Sequence, residues 1–399
     1  MAGRRRVPGS AAVLLCLLLV SLVACGGRPA ADPDRAEVQR VLDRRADALL
    51  DRDGSAYRRT GAGAGFDRLR AVPLAGWSYR VTGLRRSGDT ATADVELRYR
   101  LQGYDRSPVT VGRTLRLSRA RDEDGGGWRV DSDRPAHQAA RQLWDQGAVT
   151  AVRGRDSLVL GVGQPREALR RYADLADRAV PAVSGAWGAG WARQVVVLVP
   201  ESLEGMAGLL GSPASSYRGI AAVTTGRTGA PADAPADRIV VNPDAYGLLG
   251  GLGRQVVLTH ETTHVATRAH TTPATPLWLS EGYADWVGHR GSGRAPSDVA
   301  PELARAVREG RLPEALPGDG EFAFTGAADG LARAYEGGWA ACRMIADRWG
   351  EERLGAFYRA VGAHEERRGA VEEAMRTVLG TTPQAFTERW REYLRAQLG

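Results

Sequence analysis

The sequence predicts an α+β chain: a helix and a curved antiparallel sheet, then a small mixed sheet, then helices to the end. Three observations carry that reading. Four runs between residues 77 and 133 alternate apolar and polar side chains and are separated by turn signals. Short apolar runs between 157 and 243 form a second group, interrupted by one long amphipathic stretch. Beyond about residue 252 the apolar residues fall mostly at helical intervals. Strands followed by a helical remainder is the α+β pattern.

Taken in order, the chain opens with "MAGRRRVPGSAAVLLCLLLVSLVAC". Arg4, Arg5 and Arg6 precede an apolar run from Ala11 to Ala24, the charged and apolar regions of an export signal. The run is short for a membrane span. Its end, Leu22-Val23-Ala24-Cys25, resembles the lipobox of bacterial lipoproteins. That resemblance implies a cut before Cys25, lipidation of Cys25 and a membrane-anchored protein on the extracytoplasmic face. An ordinary secretory signal, giving a secreted protein, is the alternative. We divide the chain into the signal and lipidated cysteine (1–25), a tether (26–35), a first domain (36–135) and a second (136–399). With Cys16 and Cys25 set aside, Cys342 is the one thiol left, so no intrachain disulfide framework is expected.

Residues 36–53 space their apolar side chains as a helix does. Four strands follow at 77–84, 91–101, 108–118 and 127–133. In the second, Val95, Leu97, Tyr99 and Leu101 alternate with Asp94, Glu96, Arg98 and Arg100, the mark of a half-buried antiparallel strand. "SGD", "GYDRSP" and "DEDGGG" supply the turns. A helix leading into such a sheet resembles the NTF2-like domain. No His/Asp pair lies in it, so an accessory or binding role is implied. In the second domain, 157–162 and 193–200 read as strands flanking a helix from Pro165 that ends near Gly185. Residues 219–226 and 237–243 read as two more strands, and 252–270 as a long helix. Helices follow to the end, including 334–361 and 382–398.

The balance of +7 invites a nucleic-acid reading, which the composition opposes. All 54 basic residues are arginine, Asn242 is the only asparagine, and isoleucine occurs at 220, 239 and 345 alone. That bias points to a high-GC bacterium such as an actinomycete. The arginines are interleaved with acids and form no basic block with aromatics, so no nucleic-acid partner is expected.

The chemistry sits in "LTHETTHVAT", residues 258–267. On a helix, His260 and His264 share a face about 5–6 Å apart, so both can turn a ring nitrogen to one zinc ion. Glu261 projects about 100° round the helix, where it suits a general base better than a ligand. After "RAHTTPATP" comes "LWLSEGYADW" (277–286), with Ser280 a plausible N-cap and Glu281 opening the next helix. Glu281 is the candidate third ligand. Asp285, one turn on, can hold a ligating imidazole in one tautomer. Three protein ligands leave a fourth position for water.

His260-Glu261-Thr262-Thr263-His264 together with Glu281-Gly282-Tyr283-Ala284-Asp285 resembles the gluzincin zinc metallopeptidases, the superfamily of thermolysin and the zinc aminopeptidases. The resemblance covers roughly residues 150–399, although the sixteen residues between His264 and Glu281 are slightly few for it. It implies one Zn²⁺ held by His260, His264 and Glu281, with Asp285 supporting His260 and Glu261 as general base. It also implies a later tyrosine or histidine that stabilises the oxyanion. Tyr335 in "AYEGGWAAC" is the candidate and His289 in "VGHRGSG" the rival. A peptide or protein substrate would pair along an edge strand, assigned to Gly219, Ile220, Ala221, Ala222 and Val223. No glutamate lies in "GIAAVTT", which speaks against an aminopeptidase. Asn242 and Pro243 read as a turn, Cys342 as core, and His137, His270 and His364 as bystanders. The expected function is a membrane-anchored zinc metallopeptidase. The alternatives are a catalytically silent zincin-fold lipoprotein that binds or scaffolds, and zinc-dependent hydrolysis of a non-peptide amide or ester.

Overall fold

The computed structural model describes residues 32–120, 127–226, 228–231, 233–323 and 328–399. The signal, Cys25 and most of the tether lie outside the described residues. The fold is α+β, as the sequence predicts.

The N-terminal helix, Pro33–Leu50, starts three residues before the expected position. Asp32 caps it and proline occupies its first turn, where a missing N–H costs nothing. Strands β1 (Leu74–Ser87), β2 (Thr90–Leu101), β3 (Val109–Arg119) and β4 (Trp128–Pro135) form an antiparallel sheet in the order β1-β2-β3-β4. In β2 the residues Ala91, Ala93, Val95, Leu97, Tyr99 and Leu101 are all buried, which is the alternation read from the sequence. The helix lies against β1, where Gln39 accepts from the Val81 N–H and donates to the Tyr79 carbonyl. Its side chain thus satisfies part of a sheet edge that lacks a strand partner.

A second, five-stranded sheet follows in the order β5-β6-β7-β9-β8. Its members are β5 (Thr150–Arg153), β6 (Ser157–Gly161), β7 (Val195–Val199), β8 (Ala222–Thr224) and β9 (Arg238–Val241). The strands β6, β7 and β9 pair in parallel, whereas β5 and β8 run antiparallel at the two edges. The sequence reading missed β5, whose four residues "TAVR" are too short to show a period. The helix between β6 and β7, Arg166–Trp187, runs past the expected stop at Gly185. It ends at Gly188, whose φ of 96° breaks the helical path.

One face of this sheet, with Leu158, Leu160 and Val196, joins the core of the first sheet. The other face, with Val159, Val197, Ile239 and Val241, packs on Leu169 and Ala173 of helix Arg166–Trp187 and on Leu258. Leu258 belongs to the helix Gly251–Thr267, which carries "HETTH". Behind it stand helix Leu277–His289, helix Ala328–Trp349 and the remaining C-terminal helices, which share a third core containing Cys342.

Candidate metal centre

Three helices and one strand bring the candidate residues together. His260, Glu261 and His264 come from helix Gly251–Thr267. Glu281 and Asp285 come from helix Leu277–His289, which begins earlier than expected. Pro276 is its N-cap and Ser280 lies inside it, its N–H donating to the Pro276 carbonyl at 3.1 Å. The extended backbone at Pro276, not a serine side chain, starts the helix.

The two helices meet closely. A Cβ placed on Gly288 would lie 3.1 Å from the Val256 carbonyl, one turn before His260. Helix Ala328–Trp349 crosses on the other side, and a Cβ on Gly282 would come within 2.3 Å of the Gly338 carbonyl group. Only glycine permits that backbone-to-backbone approach. It sets Glu281 near Tyr335, one turn before Gly338.

His260 Nε2 and His264 Nε2 lie 3.0 Å apart, and Glu281 Oε2 is 3.4 Å from each. A tetrahedral ion with bonds of about 2.05 Å spaces its ligands about 3.3 Å apart. The three donor atoms therefore fit zinc in kind and in spacing. Asp285 Oδ1 lies 2.7 Å from His260 Nδ1. With the proton on Nδ1, the Nε2 lone pair faces the site.

Within the centre the charged groups stabilise one another. Burial disfavours a charged His260, but Asp285 by charge and hydrogen bond, and Glu281 by hydrogen bond, raise its pKa well above the ordinary value. Burial also opposes a charged Glu281, yet the neighbouring His264 and His260 drive its pKa far below the usual carboxylate range. The pocket accordingly favours negative charge on Glu281.

Glu261 is 7% exposed and stands apart from the three donors. The Thr224 hydroxyl lies 2.6 Å from Glu261 Oε2 and 3.0 Å from the Glu261 carbonyl oxygen. Thr224 was not singled out from the sequence, although it lies inside the run 219–226 read as a strand. Its hydroxyl on a strand otherwise rich in apolar and small residues was the available signal.

That strand is shorter than expected. β8 spans Ala222–Thr224, so Gly219, Ile220 and Ala221 are not part of it. Gly219 has a φ of 84° and the Ile220 N–H closes a turn on the Tyr217 carbonyl. Ala221 continues toward the sheet, its carbonyl accepting from the Asn242 N–H. Asn242 caps the short helix Pro243–Gly247 as a turn residue and also donates to the Ile220 carbonyl at 2.9 Å. β8 is nonetheless an edge strand, paired with β9 alone in the sheet.

Tyr335 is partly buried and packs edge-on against Phe322 at 5.2 Å. Burial, then the charges of Glu281, Asp285 and Glu261, raise the pKa of its hydroxyl, which keeps it a proton donor. His289 sits at the end of the Glu281 helix near Trp339, and its buried Nδ1 has no hydrogen-bond partner among the described residues. Burial lowers its pKa, with Asp285 opposing and His260 reinforcing. The remaining histidines lie away from the centre, with His270 against Trp187 at 5.6 Å.

No known protein family matches the sequence, and no curated protein does. Among solved structures, the chain is similar to native yeast LTA4 hydrolase, at 11% identity and a TM-score of 0.37. That similarity covers 76% of this chain and 51% of the yeast protein, so the chain spans about half of its length. It is also similar to a two-domain M1 zinc metallopeptidase mutant bound to L-arginine, at 11% identity and a TM-score of 0.35, covering 83% of this chain and 96% of that one. Both likenesses are distant.

Proposed function

We propose that the chain is a zinc-dependent peptidase, with the chemistry of the gluzincin metallopeptidases that its motifs resemble. One observation carries this: two imidazole nitrogens and a carboxylate oxygen converge at 3.0–3.4 Å, beside a separate buried carboxylate that binds none of them. His260, His264 and Glu281 would hold the ion, and Asp285 would fix the ring of His260. Zinc, when bound, supplies Lewis acidity to the scissile carbonyl and to the attacking water.

Glu261 takes the proton of the attacking water and delivers it to the leaving amine. Thr224 fixes the carboxylate for that transfer. The Tyr335 hydroxyl donates to the oxygen on which negative charge develops. An extended peptide lies along β8 and pairs with its backbone, which places substrate and the Glu261 clamp on one strand.

Zinc content and peptidase activity should be measured together on the form starting after Cys25, with Glu261→Gln as control. One zinc per chain in both proteins, and cleavage in the wild type alone, is the expected result. Equal zinc with no cleavage of a broad peptide library would favour the binding or scaffold reading. Absence of zinc from both would refute the metal centre.

The proposal includes a lipid tether at Cys25. No helix among the described residues is long and apolar enough to cross a membrane. The full chain should enter the detergent phase on Triton X-114 partition, and Cys25→Ser should remain in the aqueous phase.

A further inference from the structure

A chain of buried polar contacts ties the strand beside Glu261 to the first sheet. In β9, Ile239 and Val241 pack on the side of Leu258 and the HETTH helix. Side chains alternate along a strand, so Arg238 points the opposite way, toward the first sheet. There it meets Asp105, in the turn that follows β2, whose side chain is fully buried. Arg238 Nη2 donates to both Asp105 oxygens, at 2.8 and 2.9 Å. The same carboxylate accepts from the Leu101 N–H at 2.7 Å and from the Ala236 N–H at 3.1 Å. No other carboxylate pairs with Arg238 among the described residues.

Arg238 also brackets Thr225, the residue after β8. The Arg238 N–H donates to the Thr225 hydroxyl at 3.0 Å, and the Thr225 N–H donates to the Arg238 carbonyl at 2.8 Å. From the metal-site side, Arg268, one turn beyond His264, donates to the Thr225 carbonyl at 3.1 Å and to Asp237 at 2.9 Å. Gly226 completes the corner with a φ of 115°, and a Cβ there would lie 1.7 Å from Asp237 Oδ1. Thr225 is thus held at its N–H, its hydroxyl and its carbonyl. Its neighbour is Thr224, whose hydroxyl holds Glu261.

The two arginines share a neighbour. Burial raises the Asp237 pKa, and the charges of Arg268, Arg238 and His264 oppose that rise. A buried guanidinium stripped of its carboxylate is strongly destabilising. Without the charge of Asp105, Arg238 would therefore compete with Arg268 for Asp237, and the hold on Thr225 would loosen.

We propose that Asp105 is a positioning residue for the hydrolytic centre. By holding Arg238 it fixes the end of β8, the strand that carries Thr224 and pairs with substrate. This rests on the peptidase reading, and it makes the first sheet a working part of the centre instead of a separate accessory unit.

Hydrogen–deuterium exchange at the Thr225 N–H reads the strand directly, with neither zinc nor substrate present. On the form starting after Cys25, Asp105→Asn should speed that exchange about tenfold, as loss of one charged hydrogen bond does. Arg238→Lys keeps the charge but loses the planar fork, and should give a smaller rise of about threefold. Both variants leave the main chains of Arg238 and Thr225 intact, so a change at Thr225 must travel through the side chains. Asp145→Asn, which disrupts a buried pair with Arg113 beside the first sheet, controls for general loss of stability and should leave Thr225 within about twofold. Circular dichroism checks folding, and if Asp105→Asn does not fold, Arg238→Lys decides. In steady-state assays Asp105→Asn should raise KM about tenfold with zinc content unchanged.

Unchanged Thr225 exchange in the folded variants, or an equal rise in Asp145→Asn, would overturn the proposal. Faster exchange with KM unchanged would refute any bearing on substrate. Faster exchange in a wild-type protein that cleaves no peptide would uphold the anchor and refute the peptidase reading. Unchanged exchange in an active enzyme would refute the anchor alone.

Discussion

Thr224 offers the sharpest test of how the centre works. Thr224→Val removes one hydroxyl and keeps nearly the same shape, and the pairing of β8 with β9 is through the backbone, so the strand should survive. What is lost is a 2.6 Å hydrogen bond to a carboxylate. The hydroxyl has one proton and two nearby acceptors. The shorter contact to Oε2 identifies the carboxylate as the main recipient, and the Glu261 carbonyl lies within a helix that supplies its own N–H. A bond to a charged group contributes about 1.5–3 kcal/mol. Part of that is recovered when the freed carboxylate finds water, so about 1.4–2.8 kcal/mol on the barrier, or a 10- to 100-fold fall in kcat, is expected.

Thr224 touches none of the three metal donors, so zinc content should not change. KM should move little, because the substrate pairs with the backbone of β8. Thr224→Ser keeps the hydroxyl and should retain most of the activity. The assay is kcat and KM for the three proteins on one peptide, beside zinc per chain. A valine variant within twofold of wild-type kcat, or a serine variant as slow as the valine, would refute the assignment of Thr224 to holding the base.

Asp285→Asn should weaken zinc binding about 10- to 100-fold by removing the charge that orients His260, measured by competition with a chromophoric chelator. Tyr335→Phe should lower kcat by about 10²–10³ with zinc retained, and His289→Ala should do much less; the reverse order in steady-state kinetics would transfer the oxyanion role to His289. Glu336 accepts from the Glu302 and Leu303 N–H groups, yet burial, with help from the Glu302 carboxylate, pushes its pKa up to about 7. A pKa raised in the folded state adds stability that is complete below the ordinary value near 4.5 and is lost as pH rises through about 7. Thermal unfolding of Glu336→Gln should therefore fall less between pH 5 and pH 8 than that of the wild type.

Periodicity made the first sheet legible because one of its faces is buried and the other wet, so β2 alternates along its length. Helix ends were less legible. The start at Pro276 and the continuation past Gly185 depend on backbone angles that many residues tolerate, and Ser280 was a reasonable cap that the preceding proline made unnecessary. The short edge strand was over-read because "GIAAV" is apolar or small throughout, while the turn at Gly219 depends on one positive φ. In the centre, the i and i+4 spacing of His260 and His264 fixes a shared face, and the Glu281–Asp285 spacing does the same on the next helix. Thr224 and the helix crossing could not be read, since both depend on which elements become neighbours across tens of residues.

That crossing explains why the donors can converge at all. Two imidazole nitrogens and a carboxylate oxygen within 3.4 Å must give up water, and side-chain packing alone would let them relax apart. Here the separation is set by backbone against backbone. Gly282 follows Glu281 directly and touches Gly338, one turn beyond Tyr335, while Gly288 meets Val256 one turn before His260. Side chains at such contacts could change rotamer to release the strain, whereas two main chains in contact cannot. Helix positions, and with them the Cα atoms of every candidate ligand, are thus fixed before any ion arrives. Asp285 and Thr224 then need only orient single side chains, which is the division of labour a preorganised hydrolytic centre requires.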